Sequence, residues 1–229
     1  MKKLDIIYED NDIILVHKLA GVATQTKRLG QQDMESLLKN YRVQKGEPPY
    51  VGIVHRLDQP VEGIMMFAKN QKAAASLSKQ VQQHMIGKYY YAITEHIPEE
   101  KKGVLEDYLV TDKKANVTRV LEVDEIEKIK NFQDVKKAKM EYEVVDIKED
   151  KTLIRLKLHT GRQHQIRVQM AHMGCPLVGD SKYGDGASRN GLALCSYCLE
   201  FRHPETGKEM KFFVKPIGKG FTGFVFGGQ

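Results

Sequence analysis

The 229-residue chain is 41% apolar and 29% charged, a globular composition that excludes a disordered protein and is long enough for a substantial core. No apolar run nears the roughly 20 residues needed to cross a bilayer, and the opening MKKLDIIYEDND lacks the apolar centre of a secretory signal. A net charge of +6 mildly favours an acidic partner, while three cysteines, few and odd in number, argue against a disulfide framework and for a reducing cytoplasm.

LDIIYEDNDIILVHKLAGV reads as two short strands around a Glu-Asp-Asn-Asp turn. QQDMESLLKNY, about residues 32–42, puts Met34, Leu37, Leu38 and Tyr41 on one helical side. In VGIVHRLDQPVEGIMMFAKN, two apolar runs, Val51–Val54 and Ile64–Ala68, read as buried strands. Between them lie His55, Arg56, Asp58 and Glu62, charges that are costly to bury unpartnered. Asn70 suits the N-cap of a helix in which Ala73, Leu77, Val81 and Met85 recur every four residues, and Gly87 is placed to end it in a left-handed cap. KYYYAITE is strand-like, with Tyr89 and Tyr91 on one face and Tyr90 on the other.

Residues 98–137 are the least legible: PEEKKG and KNFQDVKK read as charged loops flanking short strand-like pieces. KAKMEYEVVDIKEDKTLIRLKLHT predicts a hairpin turning near Lys148–Lys151. RQHQIRVQMAHMG spaces Ile166, Met170 and Met173 as a helix, and LALCSYCLEF and EMKFFV are closing strands joined by RHPETGK. Without repeats, low-complexity segments or a linker, the economical reading is one mixed α+β domain over residues 1–229, mainly antiparallel.

Cys195-x-x-Cys198, with His203 nearby and Cys175 upstream, superficially supplies zinc ligands. An odd separation within a strand puts the two thiols on opposite faces, so small buried hydrophobes are the better reading and no metal is expected. In HTGRQHQIR, a Thr-Gly-Arg turn feeds a helix start, so Arg162, His164 and Arg167 could clamp an anion or simply line a solvated face.

In this order the blocks resemble the RluA-type pseudouridine synthases. HRLDQPVEGIMMFAK is similar to that family's His-Arg-Leu-Asp block, KYYYA to its Lys-x-Tyr-x-Ala strand, and residues 158–184 to its Thr-Gly-Arg-x-His-Gln-Ile-Arg block with the following Gly-Asp-x-x-Tyr-Gly. LEFRHPETGKEM resembles its closing His-Pro-x-Thr-Gly strand pair, so the likeness runs from about residue 4 to 216. The resemblance implies a pseudouridine synthase fold, with a bent, mainly antiparallel sheet, flanking helices and loops, and an active-site cleft across the sheet. It implies isomerisation of uridine in tRNA or rRNA without cofactor or metal, by a cytoplasmic monomer with no membrane and no obligate protein partner. The alternative is a non-catalytic RNA-binding module on the same fold.

The same resemblance implies that Asp58 is the catalytic carboxylate, as nucleophile at C1′ or base at C2′, with Arg167 as its cation and Tyr90 stacked on the uracil. Arg56 takes the space of the flipped nucleotide, Arg162 contacts phosphate, and His55 and His164 complete the RNA-binding set. Two positions depart from the pattern: Val61-Glu62-Gly63 replaces a Thr-Ser-Gly type of sequence, and Gln163 replaces a small hydroxyl residue. Glu62 is expected outward or paired with a basic group. The chain begins at the catalytic hairpin without a preceding S4 domain, so RNA grip is expected from TKRLG, Lys113–Lys114 and Lys136–Lys137.

Overall fold

The structure, a computed structural model, describes all residues except 1–3, 27–29, 123–124, 126–133, 185, 187–189 and 227–229. Lys27 and Arg28 of TKRLG lie outside the described residues. In chain order the elements are β1 (Ile6–Glu9), β2 (Ile13–Lys18), α1 (Met34–Gln44), β3 (Gly52–Ile53), β4 (Glu62–Ala68), α2 (Gln71–Gln82), β5 (Gly87–Thr94) and β6 (Lys102–Asp112). There follow β7 (Val117–Leu121), β8 (Val135–Lys148), β9 (Lys151–Leu158), α3 (Gln165–His172), β10 (Leu194–Arg202), β11 (Glu209–Phe213) and a 3₁₀ turn at Lys219–Phe221. Two compact units divide the chain: residues 1–87 with 195–216, and residues 88–194 with 217–229.

In the first unit, Asp10 closes the β1–β2 hairpin by accepting the amides of Asp12 and Ile13 at 2.8 and 2.9 Å. β4 pairs antiparallel with β2 along one edge, from Ile13 opposite Ala68 to Lys18 opposite Gly63. On its other edge β4 meets the short β3 and, in parallel, β10, which is antiparallel to β11. Every residue of β2 and β4 is buried, the outcome that continuous rather than alternating apolar runs predict. α2 lays Ala73 and Leu77 against Ile13, Leu15, Ile64, Met66, Leu199 and Phe201. A fully buried leucine contributes about 1.5–3 kcal/mol there.

Asn70 is the N-cap, its side chain accepting the Ala73 amide at 2.8 Å. The helix ends earlier than the four-residue repeat predicts. His84, not Gly87, takes the left-handed conformation (φ 56°), and the Met85 amide reaches back to the Gln80 carbonyl at 2.9 Å. This closure turns the chain so that Ile86 re-enters the core while Met85 is left 46% exposed, and Gly87 opens β5.

At Gly63, opposite Ser196, β4 and β10 approach closely. The glycine φ is +126°, and a Cβ there would stand 2.5 Å from the Ser196 amide nitrogen and closer still to the Ser196 carbonyl oxygen. Gly63→Ala is therefore expected to cost about 3 kcal/mol or more, read as a lowered urea midpoint or an insoluble protein.

The second unit is an antiparallel array in the order β5-β9-β8-β6-β7. Lys102, Gly103 and Val135–Lys137, expected in loops, belong to the long β6–β8 pair. Charge on the outer face hides the strand period: Glu106 bonds Lys137 and Lys139 across the ladder at 2.9 and 2.6 Å. α3 is buried from Gln165 to Met170, polar residues included, a pattern that a purely apolar stripe does not announce. Val168 packs with Leu109 and Ala138.

Candidate active site

Asp58 begins a tight turn in which the Val61 amide donates to the Asp58 carbonyl at 3.0 Å. The preceding Leu57 is buried and clamped on both sides by Thr24, whose hydroxyl donates to the Leu57 carbonyl at 2.8 Å and accepts its amide at 3.3 Å. The following Gln59 exchanges two bonds with Gly21, at 2.8 and 3.1 Å. Beneath this turn Lys18 is completely buried, its ammonium donating to the carbonyls of Leu19, Val22 and Gln59 at 3.2, 2.7 and 3.2 Å. Burial pulls the Lys18 ammonium down to about 8, opposed by the nearby carboxylates of Asp58 and Glu62. The carboxylate is thus presented, partly exposed, from a backbone fixed at both neighbours.

Lys18→Met would leave the buried Val22 carbonyl without its lysine donor and remove a buried cation facing two carboxylates. A loss of about 3 kcal/mol is expected, lowering the melting midpoint by about 6–12 °C.

Arg56 is exposed, whereas His55 is half-buried with its Nε2 accepting the Met66 amide at 3.0 Å, which commits that nitrogen to the strand. Glu62 points inward. It is 2% exposed and faces the buried His17, whose Nε2 lies 3.9 Å from the carboxylate, too far for a hydrogen bond, so the outward placement is not the one found. Burial lowers the His17 imidazole, against the opposing charges of Glu62 and Asp5.

The second unit holds Tyr90, Arg162, His164 and Arg167. Tyr90 is buried in β5 opposite Leu156. The Thr-Gly-Arg turn is assembled on the buried Gln165, whose Oε1 accepts the Thr160 hydroxyl at 2.8 Å and the Arg162 amide at 3.0 Å. Arg162 is exposed and its Nε donates to the Lys137 carbonyl at 2.9 Å. His164 adopts a left-handed backbone (φ 53°) and lies inside, its Nδ1 2.8 Å from the Tyr183 hydroxyl. That hydroxyl also accepts the Thr118 amide at 2.8 Å. Gln163, the second departure from the family pattern, donates to Asn116 in the β6–β7 turn at 2.6 Å.

Arg167 is buried on α3 and donates through Nε and Nη2 to the two oxygens of Asp180, at 2.7 and 2.5 Å. The Tyr183 ring covers the guanidinium at 5.2 Å. A bidentate pair of this kind fixes the arginine in direction as well as charge.

The cysteines are buried thiols, Cys198 pushed up to about 12 by burial and Cys195 and Cys175 raised for the same reason. Among the described residues one group has metal-like spacing: Asp10, Asp12 and His203. Its histidine is already committed. Nδ1 accepts the amides of Glu205 and Thr206, so Nε2 carries the proton that it donates to Asp10 at 2.8 Å. A protonated Nε2 is no ligand, and the trio serves as a hairpin brace.

The sequence profile described as RNA pseudouridylate synthase matches residues 12–172. The chain belongs to the RNA pseudouridylate synthase family. It is 35% identical to the uncharacterized RNA pseudouridine synthase YhcT of Bacillus subtilis over 89% of this chain and 66% of that protein. It thus spans just under two thirds of that relative's length. It is 31% identical to tRNA pseudouridine synthase C of Haemophilus ducreyi over 89% of this chain and 87% of that one. Human RNA Pseudouridylate Synthase Domain Containing 1 superposes with TM-score 0.76 at 20% identity, covering 94% of this chain and 84% of that one. Domain Containing 4 gives TM-score 0.73 at 21% identity, over 92% and 88%. These human structures share the fold, and the pseudouridine synthase fold expected from the motif order is the fold observed.

A pseudouridylate synthase is an isomerase, a reaction class that this chain's thiols and its occupied His203 do not have to serve. Lys18, Thr24, Gln165 and Asp180 are parts of the RNA pseudouridylate synthase scaffold not singled out from the sequence. Lys18 carried one visible signal, a cation two residues beyond the apolar run IILV.

Proposed function

We propose that this chain converts uridine to pseudouridine in tRNA or rRNA, with Asp58 as the catalytic carboxylate and Tyr90 and Arg167 completing the catalytic set. The observation that carries the proposal is Asp58 on its doubly anchored turn, inside the stretch that matches the family profile. The RNA class is supported by the names of relatives, tRNA pseudouridine synthase C and ribosomal large subunit pseudouridine synthase C. In the reaction the N1–C1′ bond breaks, C5 bonds to C1′, the C5 proton leaves and N1 gains one, so atoms balance without redox change. Among the described residues no helix is long and apolar enough to cross a membrane, and the enzyme is proposed to act as a cytoplasmic monomer without a cofactor.

A stacked base hides its atoms, so the uridine is flipped at a cost of a few kcal/mol. Arg56, exposed two residues before Asp58, is proposed to fill the vacated stack, and Arg162 to hold phosphate. Arg56→Ala should lower turnover at least tenfold more on a structured stem-loop than on an unstructured oligomer; equal losses contradict flipping. The function itself is tested by mass balance with purified protein and cellular RNA. Isomerisation yields pseudouridine with no free uracil, whereas release of uracil would make the protein a glycosidase.

A further inference from the structure

Lys88 lies in β5 opposite Leu158, ahead of the three tyrosines, and its side chain crosses to the Thr160–Arg162 turn. A Cβ built on Gly161 would lie 3.0 Å from Lys88 Nζ. Gly161 is not among the glycines with positive φ, so its missing side chain serves space rather than backbone conformation. Burial, and then the charge of Arg162, both pull the Lys88 ammonium down. Among the described residues no carboxylate pairs with Lys88 or Arg162. Neighbouring cations of the same unit are paired, Lys137 and Lys139 with Glu106 and Arg155 with Glu143.

A half-buried ammonium lying against Gly161, the residue next to a second cation, is unfavourable without an anion. The turn that carries Arg162 is held in place by Gln165, so the arrangement exists before any ligand arrives. One arginine donor is used on the Lys137 carbonyl, and a guanidinium has five. A point charge beside a fork of donors suits a phosphate.

We propose that Lys88 and Arg162 form a two-cation site for one RNA phosphodiester, with Gly161 kept bare so that the lysine can lie against the turn. The site rests on the RNA-modifying reading above and adds Lys88 to it. It anchors the backbone of the substrate and carries no sequence information.

The test is binding of unfractionated tRNA to the full chain across a KCl series, with pseudouridine formation measured separately. Loss of one phosphate contact lowers the slope of log K against log salt by about 0.7–0.9. Lys88→Met should show that decrease with affinity severalfold weaker, and Lys88→Arg should restore both. Without RNA, Lys88→Met should melt no lower than wild type, because it removes a repelled cation; a structural lysine would melt lower. An unchanged salt slope in Lys88→Met overturns the site even if pseudouridine is made. A lowered slope without pseudouridine upholds the site and overturns the enzymatic reading, and a wild-type chain that binds no RNA overturns both.

Discussion

Asp58→Asn is expected to abolish pseudouridine formation, slowing it by about 10⁴-fold or more, while the protein still folds and binds RNA. The substitution is isosteric. It keeps the backbone bond from the Val61 amide, the clamp of Thr24 on Leu57 and the Gln59–Gly21 exchange. It removes the charge proposed to attack C1′ or take the C2′ proton, a charge that also faces the buried Lys18. Release of tritium from C5-labelled uridine in single-turnover reactions measures the loss, and melting and RNA binding serve as controls. A non-catalytic RNA-binding module on this fold would be indifferent to the change.

The second large effect concerns Asp180. Asp180→Asn leaves the Arg167 guanidinium buried against a neutral amide, and breaking a buried pair costs about 3–5 kcal/mol. The melting midpoint is expected to fall by roughly 10 °C. Burial pushes the Asp180 carboxyl up, but the Arg167 hydrogen bonds and charge, with the amides of Lys182 and Tyr183, outweigh it and hold the carboxyl below its usual 3.8. A carboxyl depressed in the folded state contributes stability that is complete above the unfolded value, and that stability drains away as pH falls through the folded value. Wild type should therefore lose stability below about pH 4 on account of this group. Asp180→Asn should lack that part of the acid slope in urea titrations. An equal slope in both would mean that the pair does not set acid stability.

Local signals in the sequence and long-range partners had different fates. The hairpin around Glu9–Asp12, the cap at Asn70 and the β8–β9 hairpin were readable because each is decided by residues a few positions apart. The Asp58 turn was readable as a charged connection between two apolar runs. Its support was not, because Thr24 and Lys18 meet it from 33 and 41 residues away, and no periodicity encodes such a meeting. Asp180 was visible inside Gly-Asp-x-x-Tyr-Gly, but its bond to Arg167 belongs to the folded unit. The β6–β8 pair escaped because Glu106 and its lysine partners make the strands look like loops, and the end of α2 because a histidine took the conformation expected of glycine.

His55 and His164 both make contacts within the fold. One accepts a strand amide and the other pairs with Tyr183 inside the second unit. The inward Glu62 facing His17 is a further consequence of tertiary packing: a carboxylate four residues after Asp58 is buried beside a buried imidazole. These placements leave Asp58, His55, Arg56 and Arg162 as the partly or fully exposed members of the predicted set.

The most direct measurement is a map of pseudouridines in tRNA and rRNA from cells with the gene, without it, and complemented by wild type or Asp58→Ala. The account predicts that at least one pseudouridine disappears on deletion, returns with wild type and fails to return with Asp58→Ala. Survival of every pseudouridine after deletion, or restoration by Asp58→Ala, would contradict it.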